Sequence, residues 1–294
     1  MKRPIQAGGG MMNTMLRAVA IVALLAPAVH AAAQESSTSA PGIDVTDRLG
    51  TLEDGQWAFY NAQYEAAAEV TLEQCSAGAD SLAACELRTT ALLFQIRRAL
   101  GEPADKDRAW KQCVVCPDLM SAFEGALARG QALARAKLEA HPDDHTSLFL
   151  LGKLDLNYVW LQLGTLGRKT GWKEYWEARR ALDKVLKRDP EHVRARVARA
   201  WIDYIVDTKM PRGTRWLLGG GNKKRGLLAV REAAETATDF FTRAEARFAL
   251  WDMQVRERNI QAAIVTARLL ARDFPDNPEL NTFLEAHGNA LSLR

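Results

Sequence analysis

The chain of 294 residues carries 39 basic and 36 acidic side chains, a formal charge of +3, and is 48% hydrophobic. The excess charge is local: Lys2, Arg3 and Arg17 lie within the first 31 residues, where there is no acid, and 36 of each sign remain beyond. A neutral, mixed remainder carries no electrostatic footprint for nucleic acid, and its length suffices for one or two globular cores or one extended solenoid.

The basic lead is followed by an apolar run, Ala18 to Ala26, then Pro27, Val29-His30-Ala31 and Ala31-Ala32-Ala33, both of which fit the small-x-small processing rule. This order predicts a secretory signal over residues 1–31 and an exported protein, periplasmic or, alternatively, secreted. The run is well short of the roughly 20 residues of a spanning helix, so no stable membrane span is expected after cleavage. No cysteine occurs before Cys75, which argues against a lipid anchor. The Met11-Met12 pair hints at a start downstream of Met1. Residues 32–50, rich in Ser, Thr, Ala, Gly and Pro, read as a disordered leader.

Beyond the leader no stretch alternates apolar and polar residues with strand period. Apolar residues recur at spacings of three and four instead, as in Leu182, Val185 and Leu186, then Val193, Val197, Ala200, Trp201 and Tyr204. Pro and Gly fall between such segments, where helices stop. Helices are predicted at 52–74, 80–100, 117–140, 144–164, 172–188, 191–207, 223–236, 239–257, 259–273 and 277–290. Residues 51–116 form an N-terminal helical part with the cysteines, and 117–294 the larger helical part.

Cys75, Cys85, Cys113 and Cys116 are even in number in a chain expected to be exported, which favours structural disulfides; the three pairings stay open. Cys113-Val-Val-Cys116 also matches a redox motif or half of a zinc site. The first needs a preceding strand, and the second a better spacing than that between Cys75 and Cys85.

Three helix ends share one pattern: Ala136 to Pro142, Lys184 to Pro190 and Leu269 to Pro275 each close a helix and place a proline before the next. This resembles the end of the 34-residue tetratricopeptide unit. Leu148, Leu151 and Gly152 fall where that family has its Trp, Leu and Gly; Leu250 and Ala263 fall on its Leu and first Ala. The Pro190 unit keeps Ala178 but has Arg196 in place of the apolar anchor. The resemblance covers roughly residues 115–290 and implies an all-α, right-handed helical-repeat solenoid. Spacings of 48 and 85 residues between the prolines are not multiples of 34. They imply two insertions, near Gly164–Tyr175 and Asp207–Arg225. Trp-Leu-Leu-Gly-Gly-Gly-Asn-Lys-Lys at 216–224 is similar to a stretch found in exported bacterial repeat proteins, with the T component of periplasmic solute transporters a related comparison.

The family register implies a ligand-facing inner surface that includes Phe149, Lys153 and Asn157 from one unit and Arg194, Trp201 and Tyr204 from the next. Trp201 equally fits a core position. The second insertion holds Arg212, Arg215, Trp216, Asn222, Lys223 and Lys224 around three glycines, with six basic residues and no acid between 208 and 225. It reads either as a connector or as a site for an acidic partner or anion, with free amides at the start of the next helix. Both insertions are basic and bear Trp and Gly, and loops inserted at equivalent points of successive units emerge on one face.

No His-Glu-x-x-His, Gly-x-Ser-x-Gly or P-loop motif occurs, and His141 and His145 flank Pro142, off any common helical face. No catalytic residue, metal site or cofactor is assigned. Two functions remain: an envelope scaffold that holds a protein or peptide in its groove, or a small-molecule-binding accessory subunit of an envelope transport system.

Overall fold

The computed structural model describes residues 50–77, 81–101 and 103–287. The expected signal, nearly all of the leader and the last seven residues lie outside them. Among the described residues the protein is all-helical, without a strand. The helices are α1 (Leu52–Tyr60), α2 (Tyr64–Ala77), α3 (Ser81–Leu100), α4 (Lys106–Gln112), α5 (Cys116–Ala140), α6 (His145–Val159), α7 (Trp172–Arg188), α8 (Val193–Lys209), α9 (Lys223–Thr236), α10 (Phe240–Arg256), α11 (Ile260–Asp273) and α12 (Pro278–His287). A π-helical turn (Trp160–Thr165) extends α6, and a 3₁₀ turn (Arg212–Leu218) stands between α8 and α9.

The three proline turns are one structure used three times. His141, Asp189 and Phe274 end their helices at φ −136°, −126° and −132°, the extended backbone that a following proline demands. Three residues on, Asp144, His192 and Asn277 cap the next helix: Asp144 accepts from Thr146 N–H, His192 Nδ1 from Ala195 N–H, and Asn277 from Leu280 N–H. Each cap also closes its turn by donating its own N–H to the carbonyl of the helix-ending residue.

Neighbouring helices pack in succession, with α5 on α6, α6 on α7, α7 on α8, and so on to α12. Gly152 lies where α6 crosses α7, and a Cβ there would touch the Ala178 carbonyl at 3.4 Å. Gly226 serves the α8–α9 crossing more tightly, with Ala200 O at 2.8 Å from the place of its missing Cβ. The apolar core runs through the array in connected clusters, from Ala67 to Val206, around Tyr204 and Val230, and around Ile264 and Phe274.

The first helix packs on the last ones. Trp57 packs tilted or edge-on against Phe240, Phe241 and Phe274, and Tyr60 stacks on Phe241 and Phe248 and meets Phe274 at a tilt. Asn277 Nδ2 donates 2.7 Å to the Tyr60 carbonyl, and Tyr64 Oη donates 3.1 Å to Glu279. Phe274 is fully buried in this cluster, a contribution of about 2–3 kcal/mol by its transfer free energy. The array therefore returns on itself.

The single helix expected over 52–74 is two. Asn61 ends α1 and Ala62 adopts φ +59°, a left-handed residue that turns the chain back into α2. Neither Gly nor Pro announces the break. The helix α4 and the 3₁₀ turn, too short to show a period, were likewise absent from the predicted set, which otherwise matches the observed helices to within a few residues.

The cysteine sulfurs pair as Cys75–Cys85 (2.01 Å) and Cys113–Cys116 (1.99 Å). The first pair is buried and ties α2 to α3; the second spans the joint of α4 and α5. No helix among the described residues is long and apolar enough to cross a membrane.

Candidate functional site

Alternation of helix direction places the connections α3–α5 (residues 101–115, containing α4), α6–α7 (160–171) and α8–α9 (210–222) on one edge. Side chains lock them to one another. Lys106 Nζ on α4 donates 2.6 Å to the Gly164 carbonyl, and the Arg168 guanidinium covers Trp110 at 5.3 Å. Tyr175 Oη donates 2.9 Å to Leu218 O. Arg179, buried on α7, donates to Leu218 O (3.0 Å) and Gly219 O (2.8 Å). The two insertions thus meet through Tyr175 and Arg179.

Two glycines of the second insertion, Gly219 and Gly221, answer to contacts inside the molecule, whereas Gly213 and Gly220 face open space. Gly219 and Gly220 adopt φ +76° and +74°, a region that suits glycine. A Cβ on Gly219 would lie 2.7 Å from the Arg179 guanidinium, and one on Gly221 2.7 Å from the Asp207 nitrogen of α8. At Gly219 and Gly221 it is α7 and α8 that approach the backbone closely.

The charges of this segment divide. Arg215 pairs with Asp207, Lys223 Nζ with Glu257 at 2.6 Å, and Arg225 with Asp203 at 2.8 Å. The start of α9, expected to offer free amides, is capped from within: Asn222 accepts from Arg225 N–H, and Asp207 from Lys223 N–H. Arg212 and Lys224 stand exposed outside every ion pair among the described residues. Beside them Trp216 is 73% and Leu217 53% exposed, while Leu218 turns inward.

The predicted inner surface forms a second assembly. Phe149, Lys153 and Asn157 of α6 and Arg194 of α8 converge with two acids that sequence did not single out, Glu86 of α3 and Glu245 of α10. Glu245 accepts from Lys153 Nζ at 2.7 Å and from Arg194 Nε at 2.6 Å. Glu86 is held more loosely, 3.8 Å from Lys153 and 3.5 Å from Arg194. Asn157 Nδ2 donates to Thr89 and Thr90 Oγ1 at 3.0 and 2.9 Å. Arg194 lies 4.9 Å over the Phe149 ring, which also meets His192.

Burial on its own would push the Glu245 carboxyl up, but Arg194 and Lys153 outweigh it and hold the group down at about 2. Burial likewise opposes the charge on Lys153, yet the two glutamates raise its pKa. Tyr60, brought in by the return of α1, is pushed well up by burial and then by Glu245. The cations keep 18% and 28% of their side-chain surface, so the assembly is not sealed from solvent. Two positive and two negative groups make it neutral.

Trp201 and Tyr204 do not join it. Tyr204 is core, and its hydroxyl donates 2.8 Å to Glu257, the carboxylate that also holds Lys223. Trp201, half-buried, lies against Tyr204 and beneath the Arg256 guanidinium at 5.6 Å.

Asp155, two residues past Lys153, faces the other way and is fully buried. Its Oδ1 accepts 2.7 Å from Gln131 Nε2, while Oδ2 has no partner. Burial, reinforced by Glu177, pushes its carboxyl up to about 7. Sequence flagged none of Glu86, Glu245 or Asp155, although each is a lone acid in an apolar or alanine-rich run, and that was the available signal. No cluster of three or more His, Cys, Asp or Glu suited to a metal ion is present among the described residues.

Comparison of the chain with protein-family models, with curated proteins and with solved structures gave no match. What fold and site define is a class: an all-α array of paired helices with a neutral ionic centre and an interlocked, loop-bearing edge.

Proposed function

We propose that the protein is a non-catalytic binding scaffold of an export compartment, and that its loop-bearing edge is the main docking surface. One observation carries this. Of the ten exposed large apolar side chains among the described residues, five (Val114, Val115, Trp172, Trp216 and Leu217) belong to the three connections of this edge or the residue bounding one. Apolar side chains concentrated in this way mark interaction sites, and Trp is a frequent energetic anchor. The inner surface is the weaker candidate for an extended peptide, because its charges already satisfy one another.

A small anionic solute at the centre is the second reading. Its support is the looser hold on Glu86: a solute carboxylate that replaced Glu86 would meet Lys153 and Arg194 together, over the Phe149 ring.

Photo-crosslinking amino acids at positions 216 and 149 separate these readings. Crosslinks from position 216 in cells are expected under the scaffold reading. Crosslinks from 149 alone would move the site to the centre, and silence at both positions would reject a scaffold.

A further inference from the structure

Resting on the docking edge proposed above, we infer that the occupant of the α6–α7 and α8–α9 insertions is an anionic lipid surface. Residues 160–173 and 208–226 hold nine basic residues and no acid in a chain that is otherwise balanced. Neighbouring acids neutralise Arg215, Lys223 and Arg225, but Lys169, Lys173, Arg212 and Lys224 stay exposed and outside every ion pair among the described residues. Trp172 (42% exposed), Trp216 and Leu217 lie among them.

The arrangement suits headgroups better than a protein. Cores of protein interfaces are depleted in Lys and gather aromatics into pockets. Here Trp216 and Leu217 stand on the outside of a tight turn, with cations before and after. That is the order of a surface-bound element, with ring and aliphatic chain at the acyl boundary and cations among lipid phosphates. Trp favours that interface for the same reason. The turn is held rigid for the purpose: Leu218 anchors inward, and Arg179 binds its carbonyl and that of Gly219. Through Tyr175 the same support reaches Trp172, whose ring lies 6.5 Å from that of Tyr175. The exposed apolar residues of both insertions are therefore tied to the same two α7 side chains, Tyr175 and Arg179.

Sedimentation with sucrose-loaded vesicles tests this on the purified protein. Binding is expected to vesicles of phosphatidylglycerol and phosphatidylcholine, falling with salt, and to be absent with phosphatidylcholine alone. W216S/L217S and K169Q/R212Q/K224Q should each weaken the partition coefficient about tenfold or more, with the helical melting curve unchanged. Should a variant unfold, the salt and lipid dependence of the native protein decides. Binding to neither vesicle, or equal binding to both, overturns the lipid proposal. Soluble polyglutamate separates this failure from that of the docking edge. If it binds with the same dependence on Lys169, Arg212 and Lys224 while vesicles do not, the occupant is an acidic polypeptide and the edge stands. If neither probe binds, the edge falls with the lipid.

Discussion

The guanidinium of Arg179 occupies the volume that a side chain on Gly219 would need, and donates 2.8 Å to the carbonyl of that same glycine. One residue is glycine because the other is buried arginine. Gly219→Ala should cost about 1–3 kcal/mol, combining left-handed strain with displacement of the arginine. Arg179→Ala should cost a similar amount by leaving Gly219 O without its side-chain donor and Leu218 O with Tyr175 Oη alone. Urea unfolding measures both. The exposed pair Arg212→Gln and Lys224→Gln should stay within about 0.5 kcal/mol of the native protein.

Glu245 anchors two cations. Its carboxyl titrates below the unfolded value, so its contribution is present above about pH 4.5 and is lost as pH falls toward about 2. Glu245→Gln should therefore destabilise at pH 7 and be nearly silent at pH 2. Because Lys153 and Arg194 retain some solvent, about 1–3 kcal/mol is expected at neutral pH, less than for a dry pair. A native–variant difference independent of pH would refute this account.

Asp155 has the opposite sign. Its carboxyl is raised, so the stability it allows is full below about pH 4 and declines as pH rises through about 7. Asp155→Asn should leave stability unchanged at pH 4 and increase it by about 2 kcal/mol or more at pH 8. Thermal melts at the two pH values check the crossing. The charges facing it come from α5 and α7, namely Arg135, Glu174 and Glu177, with Gln131 as the polar neighbour.

Asn277 caps α12 and also holds the Tyr60 carbonyl of α1. Asn277→Ala should cost about 1–2 kcal/mol, whereas Asn277→Ser, which keeps a capping oxygen but loses the amide donor to Tyr60 O, should cost less. Protection of the α1 and α12 amides in hydrogen exchange should fall together in both variants. Loss confined to α12 would show that the junction is incidental.

What was legible in the sequence follows from how far apart the causes lie. Helices α7 and α9 have the residue ranges predicted because Gly171 and Asn222 stand at their starts. The proline turns were legible because Pro142, Pro190 and Pro275 repeat with caps three residues after the preceding helix end. The repeat register put Phe149, Lys153, Asn157 and Arg194 on one surface with Trp201 and Tyr204, but the last two lie apart, against Arg256 and Glu257. The break at Ala62 was not legible, since nothing local demands it; it is imposed by the return of α1 onto Phe241, Phe248 and Phe274. Glu86 and Glu245 were hidden for the same reason, being far in sequence from Lys153 and Arg194. The cause of Gly219 was not legible either, because Arg179 is 40 residues away.

The meeting of Tyr60 with Asn277 sets a count. A linear stack of helical pairs can gain or lose a unit at moderate cost, since each unit touches only its neighbours. Here an added pair would move α12 away from α1, and a deleted pair would drive them together. Duplication should be poorly tolerated, while a circular permutation that joins the two ends and opens the chain at an exposed turn such as Thr238 should preserve every contact. The molecule is closed by number, as a ring is, and its size is part of its fold.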